Sequence, residues 1–249
     1  MIFRGFAIFL MILTLGLPAK AQEKLVADLD QRNVQITTDF NGAELLLFGA
    51  LERASVDDIA IIVTGPAKQI SIRRKEKVAG IWLNTENADV VGMPSFYHIL
   101  STKPLDEIAS LNTRKISKIG FDYIPFRLAP NSSIDEGPLE EWQPALIRNM
   151  QKRGLWAHEP GSIEVIGDVL FRTNIVLPAN IVPGEYQVRT IHFREGAVIN
   201  DSVTMLNVGK SGLSAEIYRF AHEYAPFYGI FAIIFAVASG WLAAVAFRK

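Results

Sequence analysis

Four histidines have the widest range of possible chemistry in this sequence, from metal binding to proton transfer. They are His98, His158, His192 and His222. None has another histidine or a carboxylate cluster two to five positions away, the spacing that zinc sites on helices use. We expect each to be structural or solvated, and we predict no catalytic residue and no metal ligand among them.

Other signatures of catalysis and cofactor binding are missing as well. The sequence has no cysteine, which excludes disulfides, thiolate metal sites and cysteine nucleophiles. It has no Gly-x-Ser-x-Gly elbow, P-loop or dinucleotide fingerprint. Distant Ser, His and Asp residues could still converge in space, but we predict a protein that is not an enzyme and binds no cofactor.

One short segment is densely basic. Its cations are Lys68, Arg73, Arg74, Lys75 and Lys77, with Glu76 the acid among them. On a strand, Arg73 and Lys75 would share one face and Arg74 would lie on the other. The segment is either an anion, headgroup or docking patch, or a solvated hairpin whose charges protect an edge strand. Glu44, in an apolar run, should face one of these cations or point to water.

The chain between its two apolar ends, counted with the basic segment, is acidic. With 21 basic and 26 acidic residues, that region carries a net charge of −5. Binding to nucleic acid requires clustered cations that neutralise phosphates, so we predict no nucleic-acid partner.

The first 21 residues are typical of a cleavable signal peptide. Arg4 is followed by an apolar stretch at 6–17, which as a helix of about 18 Å is too short to span a bilayer. Pro18 ends that stretch, and Ala-Lys-Ala at 19–21 is a cleavage site that leaves Gln22 as the mature N-terminus. An uncleaved anchor is the alternative.

A second apolar segment, residues 227–247, has no charged residue and as a helix is about 31 Å long, enough to cross the membrane. Arg248 and Lys249 follow it as a cytoplasmic tail, because positive residues stay inside. We therefore predict a single-pass protein of the bacterial inner membrane with its N-terminal domain in the periplasm. Before the span, residues 213–226 form a predicted amphipathic juxtamembrane helix.

Small residues recur every fourth position in the predicted span, at Ala232, Ala236, Gly240 and Ala244. Such a stripe lets a second helix approach closely and indicates a helix–helix interface. The alternative is that small residues are simply common in membrane helices.

Residues 22–212 show the pattern of an antiparallel β-sandwich, with short β runs broken by Gly, Pro and Asn about every ten residues. Turns are expected at Gly167-Asp168 and Glu195-Gly196. Pro183-Gly184-Glu185-Tyr186 resembles the corner of an immunoglobulin-like sandwich. A small helical insertion is predicted at about 104–155, including a helix from Pro144 to Arg153 that Gly154 ends.

Four stretches resemble the putative alphaproteobacterial transmembrane protein family. They are Glu-Leu-Leu-Leu-Phe-Gly-Ala at 44–50, Arg-Arg-Lys-Glu-Lys-Val-Ala-Gly-Ile-Trp-Leu-Asn at 73–84, Pro-Ser-Phe-Tyr at 94–97 and Gly-Trp-Leu-Ala at 240–243. The resemblance implies an inner-membrane protein with one C-terminal span, and it carries over no catalytic or binding residues.

Three functions fit these features. The leading one is a membrane-anchored periplasmic accessory protein that associates with the lipid bilayer and with a membrane protein, such as a transporter, or with itself. The second is an anion- or ligand-binding module that uses the basic segment. The third is a cryptic envelope hydrolase. A flat apolar patch on the domain would favour the first, and a pocket with converging carboxylates or a Ser–His pair would favour the third.

Overall fold

A computed structural model describes residues 25–51, 57–130, 132, 139–210 and 221–246. The predicted signal peptide, most of the predicted juxtamembrane helix, and Arg248 and Lys249 lie outside the described residues. The described chain is mainly β, as predicted, and carries one long apolar helix near its C-terminus. We call residues 25–210, as far as they are described, the β domain.

Among the described residues, the β domain contains strands β1 to β13 and three of the four α-helices. The strands are β1 (Val26–Leu29), β2 (Asn33–Ile36), β3 (Gly42–Ala50), β4 (Asp58–Thr64), β5 (Ala67–Val78), β6 (Ile81–Pro94), β7 (Tyr97–Ser101), β8 (Arg127–Leu128), β9 (Gly161–Ser162), β10 (Glu164–Ile166), β11 (Leu170–Pro178), β12 (Gly184–Arg194) and β13 (Ala197–Lys210). The helices are α1 (Leu105–Ile108), α2 (Leu111–Ser117), a 3₁₀ turn (Phe121–Tyr123), α3 (Leu139–Lys152) and, after the domain, α4 (Ala225–Ala246).

The strands form three sheets. A six-stranded sheet has the order β2-β13-β12-β4-β7-β9, a four-stranded sheet has the order β1-β3-β11-β10, and β5-β6-β8 form a third. Among the described strands, pairing is antiparallel except at the edges of the six-stranded sheet, where β2 joins β13 and β9 joins β7 in parallel. The antiparallel β prediction is confirmed, and its immunoglobulin-like detail stays a prediction.

The core lies against one face of the four-stranded sheet. Along β3 and β11, buried and exposed residues alternate, so Leu45, Leu47 and Ile175 point inward. In β12 of the six-stranded sheet, consecutive residues from Thr190 to Phe193 are all buried, which requires cover on both faces. The six-stranded sheet is therefore covered on both faces along this part of β12.

Helices α1 to α3 lie within the predicted insertion at 104–155. The prediction for α3 is wrong at its start, because the helix includes Leu139 and holds Pro144 internally. Pro144 has no N–H to donate, so this turn lacks one main-chain hydrogen bond. The buried side chains of Trp142, Leu146 and Met150 recur at helical spacing and fix this face of the helix in the core.

The predicted turns form. Gly167 and Asp168 both have positive φ between β10 and β11, as do Glu195 and Gly196 between β12 and β13. Two consecutive positive φ angles match the right-handed twist of the strands that such a turn connects. At the predicted Pro-Gly corner, the fully buried Tyr186 donates its hydroxyl hydrogen to the carbonyl of Val182 at 2.7 Å.

Candidate functional site

The basic segment lies on β5, which pairs with β6 in a long hairpin. The register runs from Ala67 opposite Pro94 to Val78 opposite Ile81, and Ala79 and Gly80 make the turn with positive φ. Every residue from 75 to 85 is exposed. We call residues 75–85 the hairpin tip, since none of them packs into the core.

Arg74 differs from the other cations of the segment. Its guanidinium contacts Glu86 at 3.1 Å and Glu141 at 2.6 Å, and it lies 4.9 Å from the ring centre of the buried Trp142. Arg74 is therefore engaged within the protein, where it joins the hairpin to α3. The other four cations, Lys68, Arg73, Lys75 and Lys77, are exposed. Arg73 and Lys75 are exposed on either side of the half-buried Arg74, a pattern that fits alternating faces along β5.

The basic segment fits both an edge-protection role and an anion-binding role. β5 is an edge strand of its sheet, and charges on an edge strand discourage pairing with other chains. The same charges are available to an anionic partner.

Four large apolar side chains crowd the hairpin tip. They are Val78, Ile81, Trp82 and Leu83, exposed by 46%, 66%, 66% and 48%. Their exposure was not predicted from the sequence. The signal was present, because three consecutive apolar residues on one strand place apolar side chains on both of its faces.

A second exposed apolar surface covers the outer face of the four-stranded sheet. Val26, Ala50, Leu170 and Ile166 are cross-strand neighbours in one row that crosses all four strands. Leu46 and Phe48 extend it along β3, and Phe48 is 48% exposed. We call these six residues the apolar outer face.

Charged side chains at this face are paired with one another. Arg172 donates from Nε to Glu164 at 2.8 Å, and Arg32 contacts Asp28 at the same distance. A shallow cavity of about 320 Å³ lies beside Phe48 and Leu170. Glu44 also points outward, and it accepts from Asn174 Nδ2 at 2.6 Å, so its partner is an amide and not a cation of the basic segment.

The most buried charged cluster joins β4 to β12. Asp57 Oδ2 lies 2.7 Å from His192 Nε2, and Arg194 donates to Asp57 from Nε at 2.8 Å and from Nη2 at 2.7 Å. The side chains of Asp57 and His192 are 1% and 2% exposed. The hydrogen bonds from Arg194 are the main cause that lowers the pKa of Asp57, against the opposite effect of burial.

This cluster has the geometry of a structural clasp. Nδ1 of His192 is buried and has no hydrogen-bond partner among the described residues. A catalytic histidine needs one ring nitrogen within reach of a nucleophile or substrate, and here both are enclosed. His98 is also structural, since it stacks on Phe96 with ring centres 4.4 Å apart, and burial lowers its pKa. Sequence reasoning could not connect Asp57 with His192, which lies 135 positions away.

The predicted membrane span corresponds to α4. Within the described residues, Ala225–Val245 is the one helix long and apolar enough to cross a membrane, with a mean hydropathy of 2.0. The small residues Ala232, Ala236, Gly240 and Ala244 lie along this helix at four-residue spacing. Their role in helix–helix contact stays a prediction.

A comparison with curated proteins found no match. The sequence model of the family described as "Putative transmembrane protein (Alph_Pro_TM)" matches residues 24–249, which include the whole β domain and α4. The combination of a mainly β domain and one membrane-length helix is consistent with that description. The chain therefore belongs to this transmembrane protein family.

Proposed function

We propose that this chain is a membrane-anchored accessory protein without enzymatic activity, whose β domain docks on a membrane protein, such as a transporter, through the apolar outer face. In this proposal α4 is the anchor and the β domain is on the periplasmic side of the bacterial inner membrane. The charges of Arg248 and Lys249 support a cytoplasmic C-terminus.

The apolar outer face is the observation that carries the proposal. Its six residues come from four strands and form one continuous area, whereas the exposed apolar residues of most soluble domains are scattered. The inward residues of the same strands already supply the core, so stability does not require Phe48 or Leu170 to be apolar. Because Asp28 and Glu164 are paired with arginines on the same face, a partner needs no strong charge to match it.

The anchor limits the partners that the domain can meet. A domain tethered to α4 stays close to the bilayer, so a partner in the same membrane is favoured over a diffusing one. The hydrolase alternative receives less support, because the Asp57–His192 pair is closed to solvent.

Site-specific photocrosslinking in native membranes tests this proposal. A photoreactive phenylalanine analogue replaces Phe48 in the full-length chain, and the matched control replaces Leu111, an exposed apolar residue of α2. We expect one discrete adduct with a membrane protein from position 48 and none from position 111. Adding Leu170→Glu should remove the adduct without changing the melting temperature, since Leu170 is 52% exposed.

Three outcomes count against the proposal. Equal adducts from positions 48 and 111 would mean non-specific contact. An adduct of twice the chain's own mass would show that the apolar outer face binds a second copy of this chain and not another membrane protein. Survival of the adduct in the Leu170→Glu protein would show that the outer face does not hold the partner.

A further inference from the structure

The hairpin tip is a separate surface with an unusual combination of side chains. Trp82 and Lys77 are direct cross-strand neighbours, and so are Val78 and Ile81 at the end of the hairpin. A two-stranded hairpin is only marginally stable in water by itself, and cross-strand pairs of exposed side chains at its end contribute at most about 1 kcal/mol each. A binding role accounts for these residues where a folding role does not.

The hairpin reaches well beyond the domain. Arg74 is held against α3 by Glu141, and Val78 lies four residues further on, which corresponds to about 13 Å of extended strand. Interfacial segments bury their apolar side chains about 5–10 Å into the headgroup and acyl boundary. The tip can therefore enter that layer while the domain stays outside it.

The charges of the hairpin favour a negatively charged target. Lys75 and Lys77 lie within the tip with the exposed Glu76 between them, so the tip carries a net charge of +1, and Arg73 precedes it on β5. The nearby acid Glu86 is paired with Arg74. Lysine together with tryptophan is the composition that proteins place at the boundary between membrane and water.

The membrane is already within reach of the domain. Only 14 residues separate Lys210, the end of β13, from Ala225, the start of α4. At full extension they span at most about 50 Å. The domain therefore samples the surface of the bilayer that holds α4 throughout the protein's lifetime.

We propose that the hairpin tip inserts into the surface of the bilayer that α4 crosses, with Ile81 and Trp82 in the interfacial layer and Lys75 and Lys77 against anionic phospholipid headgroups. This contact would give the β domain a second attachment and fix its orientation relative to the membrane. The proposal concerns a different surface from the apolar outer face and does not rest on the docking function.

A single fluorescent label tests the proposal, because the chain has no cysteine of its own. Ile81→Cys carries an environment-sensitive fluorophore in the full-length protein, reconstituted in nanodiscs of phosphatidylcholine with or without phosphatidylglycerol. Ile116→Cys is the matched control, since Ile116 is an equally apolar residue on α2 and is 73% exposed. Lipids with a nitroxide quencher report whether the label enters the bilayer.

We expect a blue-shifted and quenched label at position 81 in discs that contain phosphatidylglycerol, and a water-exposed label at position 116. The double variant Lys75→Gln/Lys77→Gln should lower the ratio of inserted to free tip about thirtyfold, since each lysine near an anionic surface contributes about 1 kcal/mol. The control Lys115→Gln/Lys118→Gln removes two exposed lysines of the same domain and should change the ratio less than twofold.

Several results would overturn the proposal. One is a water-exposed label at position 81 in both kinds of disc, and another is equal quenching at positions 81 and 116. A label that is shielded in native membranes but not in lipid discs would assign the tip to a protein partner. Insertion that is unaffected by the loss of Lys75 and Lys77 would refute the role of anionic headgroups.

Discussion

Replacing Asp57 by Asn should destabilise the β domain far more than the same change at the surface. Asp57 accepts hydrogen bonds from Arg194 and His192, and its carboxylate is 1% exposed. Asparagine keeps the shape of the side chain but removes its negative charge. Its NH₂ group would point at the N–H donors of Arg194. Removing one member of a buried ion pair costs about 3–5 kcal/mol.

For Asp57→Asn we expect a loss of stability at the lower end of the range of about 3–5 kcal/mol. Arg194 is 31% exposed, so water partly solvates its guanidinium after the carboxylate is lost. We therefore expect a loss of about 3 kcal/mol, which for a domain of this size lowers the melting temperature by about 6–12 °C. Thermal unfolding of the full-length protein in detergent, followed by the fluorescence of the buried Trp142 and Trp156, measures it.

Asp28→Asn is the matched control. Asp28 also accepts hydrogen bonds from one arginine, Arg32, three in this case, but its side chain is 40% exposed. Water screens a solvent-exposed ion pair, so this variant should melt much closer to the wild type than Asp57→Asn does. Equal effects of the two substitutions would refute the assignment of the Asp57 cluster as a buried clasp.

The pH dependence gives the prediction a second readout. Arg194 lowers the pKa of Asp57 in the folded protein, so the carboxylate stabilises the fold above its ordinary pKa of 3.8. That contribution is lost as the pH falls through the lower pKa of the folded state. The difference in stability between wild type and Asp57→Asn should therefore be constant at neutral pH and shrink below about pH 4. A difference that grows on acidification would show that the sign of the argument is wrong.

Two further predictions concern packing and orientation. Gly49→Ala should lower the free energy of unfolding by about 2 kcal/mol, because the added methyl group would lie 2.5 Å from the carbonyl oxygen of Val26. Gly209→Ala is the control: Gly209 is also in a strand, but a methyl group there would have no atom within 4 Å, so the loss should be less than about 0.5 kcal/mol. Urea unfolding distinguishes them, and equal costs would contradict the packing argument. A reporter active only in the cytoplasm, fused after Lys249, should be active, because positive residues that follow a span, here Arg248 and Lys249, favour the cytoplasmic side. Activity of a periplasmic reporter at the same place would reverse the proposed orientation.

Local patterns predicted much of the fold. Alternating apolar residues and Gly or Pro breaks located most of the long strands, and the tight turns followed from glycine at positions that need positive φ. The prediction did not anticipate the length of β6. Its stretch from Asn84 to Asp89 is polar, with little intrinsic preference for a strand, and it is extended because β5 pairs with it.

The candidate surfaces were harder to predict. In β3, Leu45 and Leu47 alternate with Leu46 and Phe48, so both faces of the strand are apolar. A period of two tells which residues share a face but not which face another layer covers. The exposed face therefore becomes visible only when the sheets are assembled. The same limit applies to Asp57, whose partners on β12 are distant in sequence.

The anchor explains why small surfaces are sufficient for this protein. A short tether holds the β domain at an effective concentration near the bilayer in the millimolar range. A contact with a millimolar dissociation constant, worth about 4 kcal/mol, is then substantially occupied. Partial burial of Ile81 and Trp82 contributes about 3 kcal/mol, and Lys75 and Lys77 about 2 kcal/mol more. The same tip on a freely diffusing domain would bind too weakly to matter, so its function depends on α4.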